Sequence, residues 1–222
     1  MTPSQSERSV ESPTVVKNST EQRRRRAVAL SALIVGAALI GATLRVERGS
    51  ATFYIAGYAL AAVWVVAALL SLPIRWTGAM FHPRIELAIG TVVGTAMFGV
   101  FVAADEIGRH ISFIAGPTVN LLAKADAGPV VAVLALALVN GVAEEMFFRG
   151  SLPDAVGGRT PLVISTVVYI AVAATAGNTA LTLAAIVMGV VFALVRSRTG
   201  GLIAPITTHL VWSTLVVLAL PR

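Results

Sequence analysis

PVVAVLALALVNGVAEEMFFRG, residues 129–150, is an apolar run that ends in two carboxylates and an arginine. A membrane-crossing helix needs about 20 apolar residues to cover roughly 30 Å of hydrocarbon, and this stretch is long enough. Its charges come where such a helix should be ending. Ionisable groups inside a bilayer are costly and face a bundle interior, a partner or water, so the charged end of this run is a candidate functional site.

The rest of the chain has the same character. Of its 222 residues 56% are hydrophobic and only 13% charged, with a mean hydropathy of +0.83, which excludes an ordinary soluble domain. The pattern predicts an all-α, polytopic transmembrane bundle of about seven spans, at about 27–44, 51–72, 85–104, 129–149, 160–176, 179–195 and 201–220. Only GNT separates the fifth span from the sixth, and the mixed segment 105–128 is expected along the interface or against the bundle. Residues 1–26 are polar, rich in Ser, Thr and Pro, and read as a disordered basic tail ahead of a transmembrane domain at 27–222. No cysteine is present, so disulfides and thiolate metal sites are excluded.

The net charge of +6 lies mostly in short loops and the tail, which fits membrane topology better than nucleic-acid binding. Arg23–Arg26 immediately precede the first span and place the N-terminus in the cytoplasm, with the plasma (inner) membrane as the expected location. Membrane lipids are the expected partners, and the sequence leaves the oligomeric state open. GTVVG at 90–94 pairs two small residues and reads as an intramolecular helix contact rather than a dimer face.

Glu145 and Arg149 stand four apart in the favourable order for pairing, so Arg149 is expected to act as a structural clasp for Glu145. Glu144 points about 100° away, toward whatever the bundle encloses. Asn140, one turn earlier, is placed to hydrogen-bond it. In the last span PITTHLVWS puts His209 and Ser213 one turn apart on one face, with Thr208 beside the histidine. His82 and His110 fall outside the spans. A glutamate to polarise water and a histidine to support a developing oxyanion form a minimal set for peptide hydrolysis. For zinc, only Glu144, Glu145 and His209 are available, and Glu144 and His209 would be its first ligands; catalytic zinc takes three protein ligands, commonly with two or more histidines.

EEMFFR at 144–149 resembles the EExxxR motif of the CPBP family of CAAX proteases and bacteriocin-processing proteins, and HLVWS at 209–213 resembles its closing HxxxN/D motif. The lead-in GVVFALVRSRTGGLIAPITTH is also similar, and the likeness covers about 129–220. The resemblance implies an intramembrane endopeptidase opening toward the cytosol, acting on membrane-embedded or lipid-modified peptides. Glu144 would then activate water, Glu145 and Arg149 would support the site, and His209 with Ser213 would stabilise the oxyanion. It implies no certain cofactor. Three positions depart from the pattern. Where the family's FxxxH motif is expected, this chain has YIAVA, with Tyr169 for phenylalanine and Ala173 for histidine, and Ser213 stands where asparagine or aspartate is usual. A peptide-binding pseudoprotease and a small proton-coupled transporter relaying through Glu144 and His209 are the alternatives.

Overall fold

The computed structural model describes residues 13–71, 74–78, 81–125 and 128–220, and within them the regular structure is all helical. In chain order the helices are α1 (Pro13–Arg45), α2 (Ala51–Leu70), α3 (Pro83–Gly108), α4 (Ser112–Ala125) and α5 (Val130–Glu144). A π-helical segment, Glu145–Ser151, continues α5 into the short α6 (Leu152–Val156), followed by α7 (Pro161–Ala174), α8 (Thr179–Thr199) and α9 (Ile203–Ala219).

Local signals set several of the ends. The Ser50 hydroxyl accepts from the Phe53 N–H at the start of α2, and the Asn178 side chain accepts from Leu181 N–H at the start of α8. Gly200 closes α8 in the left-handed conformation, at φ 77°, which costs a glycine no Cβ clash.

Among the described residues five helices are long and apolar enough to cross a membrane: Ser19–Arg45, Ala51–Leu70, Pro83–Gly108, the continuous Val130–Val156, and Thr179–Thr199. Seven spans were expected. The fifth and seventh of these correspond to α7 and α9, which have 14 and 17 residues. At 1.5 Å per residue they reach only about 21 and 25 Å, short of a full hydrocarbon thickness. Pro161 and the turn at Gly177–Asn178 fix the ends of α7 inside an apolar stretch that hydropathy alone reads as longer. Leu30, Ile34, Val92, Val131 and Val167 point outward among many exposed large apolar side chains, the surface an integral membrane bundle presents to acyl chains.

Helix α1 starts at Pro13, so the tail expected to be structureless through residue 26 is helical from 13 on, and residues 1–12 lie outside the described residues. Glu21 pairs with Arg24 and Arg25 along one helix face. Gln22 donates to Asp154 O and Ala155 O, and Arg26 to Ala155 O and Val156 O. These bonds satisfy carbonyls at the end of α6 that its own helix leaves open. They also put the arginine cluster at the same end of the bundle as the π-helical segment.

Helix α5 runs between α2 and α9, and α9 is backed by α3. The α3–α9 contact explains Gly90 and Gly94. A Cβ on Gly90 would lie 2.7 Å from Ala204 O, and one on Gly94 2.7 Å from Thr208 O, so only glycine lets the two backbones meet this closely. The small-residue pair is thus an intramolecular contact, and it presses against the turn that carries His209.

Candidate active site

Pro153 leaves one carbonyl of the π-helical segment without its α-helical donor. In an α-helix the carbonyl of Arg149 would accept from residue 153, but Pro153 has no N–H. Arg149 O accepts instead from Arg196 Nε of α8 at 3.1 Å. Glu145, Met146, Phe147, Phe148 and Arg149 are all buried, because the segment is enclosed by its neighbours α2, α7 and α8. Trp64 of α2 stacks on Phe147 with 4.8 Å between ring centroids and meets Phe148 edge-on at 5.0 Å. This aromatic packing seats the segment against α2.

Glu145 and Arg149 form the expected clasp. Arg149 Nη1 donates to Glu145 Oε1 at 3.2 Å, with both side chains buried. Its Nη2 reaches Gly189 O, and the guanidinium lies 4.5 Å from the Tyr169 ring centroid and 5.2 Å from that of Phe192. The charge is held by one carboxylate, one carbonyl and two ring faces.

His209 joins the same carboxylate: its Nδ1 is 3.1 Å from Glu145 Oε1. The ring is buried, 4.9 Å from that of Phe192 and 6.0 Å from that of Trp212. Gly141 of α5 makes room for it, since a Cβ there would lie 3.1 Å from His209 Cδ2. Glu145 therefore fixes both the arginine and the imidazole, and ring nitrogen Nε2 is the one that this bond does not use.

Glu144 is half-buried and lines a cavity of about 440 Å³ between α3, α4, α5, α8 and α9. His209, Ser213 and Asn140 line it too, amid mostly apolar side chains. The acid and the imidazole share one hollow. A smaller cavity of about 180 Å³ reaches Glu144 from the α1, α2 and α7 side, and Ala173 is part of its wall.

One expectation changes. Asn140 does not bond Glu144: its amide donates to Gly57 O at 3.1 Å and Leu136 O at 3.0 Å, tying α5 to α2. Thr208, beside the histidine, donates back to Ala204 O within its own helix. Asn178, near the end of α7, caps α8 and holds Pro117 O of α4 rather than reaching the acids. Among the described residues no group of three or more His, Asp or Glu side chains is placed to hold a metal ion.

Sequence reasoning passed over a further contact besides that of His209 with Glu145. The Tyr169 hydroxyl donates to Glu144 Oε2 at 3.2 Å. A phenol in the middle of an apolar helix signals such a contact, because a buried hydroxyl needs a partner.

Residues 126–215 match the family model described as type II CAAX prenyl endopeptidase, Rce1-like, which agrees with the resemblance carried by EEMFFR and HLVWS. The matched segment is less than half of the chain and contains α5, the π-helical segment, α7, α8 and most of α9. No match was found among curated proteins or among solved structures.

Proposed function

We propose that this protein is an intramembrane endopeptidase that hydrolyses a peptide bond in a membrane-embedded or lipid-modified segment, with Glu144 as general base. One observation carries the reading: a half-buried carboxylate and an imidazole line the same cavity inside an apolar helical bundle. The Rce1-like match supports the reaction class.

Glu144 takes a proton from a water molecule as the water oxygen attacks the scissile carbonyl carbon, and the carbonyl π electrons move onto oxygen. The Ser213 hydroxyl donates a hydrogen bond to that oxyanion. His209, when doubly protonated, donates from Nδ1 to Glu145 and from Nε2 to the oxyanion. As the tetrahedral intermediate collapses, the carbon–nitrogen bond breaks and the amine leaves with the proton held by Glu144. Glu145 and Arg149 keep the imidazole in place and do not touch the substrate. The N-terminus is cytoplasmic in this reading, from the tetra-arginine cluster, and the contacts of Gln22 and Arg26 with α6 then put the site near the inner leaflet.

Ala173 favours a second reading. It contributes no polar atom to the wall beside Glu144, and a site lacking a catalytic partner suits a pseudoprotease that binds membrane peptides without cutting them. Fluorogenic peptides with an apolar or lipidated flank, offered to the protein in liposomes, separate the two. The parent is expected to cleave slowly and Ala173→His to gain about tenfold or more, the scale of one acid/base partner. A parent that binds the peptides and cuts none, beside an active Ala173→His, would establish the scaffold reading instead.

The seat of His209 gives a further test. Gly141→Ala puts a methyl against the ring, which must move by a few tenths of an ångström and so loosens its bond to Glu145. We expect kcat to fall about tenfold at unchanged thermal stability, as small misplacements of catalytic groups do. Unchanged turnover would remove His209 from the chemistry.

A further inference from the structure

We propose that Tyr169 is a positioning residue for Glu144, its hydroxyl fixing the carboxylate that the protease reading above assigns to water activation. Its O–H donates to Glu144 Oε2 at 3.2 Å, which leaves Oε1 as the oxygen to meet water. The ring that carries the hydroxyl is held on three sides. Arg149 lies over one face, Phe148 meets it edge-on with centroids 5.0 Å apart, and α8 approaches at Gly189, where a Cβ would stand 3.4 Å from Tyr169 Cδ1. A donor mounted this firmly holds its acceptor in one orientation, as a preorganised site requires.

The neighbours on α7 leave Tyr169 without a competitor. Val172 and Ala173 are the other α7 residues in the wall beside Glu144, and neither carries a side-chain donor. The hydroxyl also ties the two carboxylates together. Arg149 pairs with Glu145 and stacks on the ring that holds Glu144, so one side chain sets the placement of both acids. A polar group at position 169 is therefore part of the site, while the ring alone would satisfy the packing.

Tyr169→Phe tests this because it keeps the ring contacts and removes only the O–H. A hydrogen bond to a charged group predicts a fall in kcat of about 10- to 100-fold, with KM and thermal stability close to the parent's. Added to Glu144→Gln, the same change should cost nothing more. A second readout needs no hydrolysis: dicyclohexylcarbodiimide labels carboxyls in apolar surroundings, and Glu144 released from its hydroxyl should label severalfold faster in Tyr169→Phe, read by peptide mass spectrometry. Unchanged kcat, or a loss equal in the Glu144→Gln background, would overturn the role. If the parent cleaves no peptide, the protease reading fails, and the labelling rate alone decides whether Tyr169 holds Glu144, with equal rates in parent and variant refuting it.

Discussion

Glu144→Gln is expected to lower the rate of peptide hydrolysis by about 10²–10⁴-fold, the contribution of one general base, while leaving the fold intact. The substitution is nearly isosteric and keeps an oxygen able to accept from the Tyr169 hydroxyl, which is 3.2 Å from the carboxylate in the parent. It removes the capacity to take a proton. Because Glu144 is half-buried and faces the 440 Å³ cavity rather than the clasp, its neutral replacement disturbs neither Glu145–Arg149 nor Glu145–His209. The measurement is turnover of a fluorogenic membrane peptide alongside thermal unfolding and peptide affinity. Loss of turnover with unchanged Tm and affinity places the effect in the chemical step. Full activity in the glutamine variant would end the general-base assignment and leave Glu144 a cavity-wall residue.

The contrast with Glu145 shows how far the sequence alone could be read. The spacing of Glu145 and Arg149 gave their pairing directly, because i,i+4 neighbours meet even where the helix widens. The apolar runs gave the helices, and the two acids ahead of an arginine marked the candidate site. What spacing could not supply were contacts across elements. His209 pairs with Glu145 over 64 residues of chain and Tyr169 with Glu144 over 25, and no helical period encodes which acid each will meet. The widened turn at Glu145–Ser151 was not legible either, since Pro153 marks only the carbonyl it leaves to Arg196. Hydropathy reads α7 as a longer apolar span for a related reason. Pro161 and the glycine turn at 177 end α7 early, while the window average sees only continuous apolar composition. Asn140 shows the limit of reasoning along one helix, since the donors placed one turn from Glu144 are used by Gly57 of α2 and by the helix's own backbone.

Arg149→Met should be the most destabilising of these changes, at about 3–5 kcal/mol, because it leaves a buried carboxylate without its cationic partner and with only His209 beside it. Glu145 is fully buried, and its Oε1 is shared between Arg149 and His209 while Oε2 has no protein partner among the described residues. Methionine fills much of the arginine's volume, so the expected loss is electrostatic rather than a cavity effect. Arg149→Lys should recover only part of it. Lysine brings a charge but not the planar group that bonds Glu145 and Gly189 O while lying over Tyr169 and Phe192. The decisive comparison is the double variant Glu145→Gln with Arg149→Met, which removes the stranded charge along with its partner. It should unfold at a temperature closer to the parent's than Arg149→Met does, measured by thermal denaturation in detergent, yet remain impaired in turnover because His209 has lost the carboxylate that holds its ring. If the double variant were no more stable than Arg149→Met alone, the arginine would be stabilising the bundle through its ring and carbonyl contacts, and the clasp would not be the interaction that holds the π-helical segment in place.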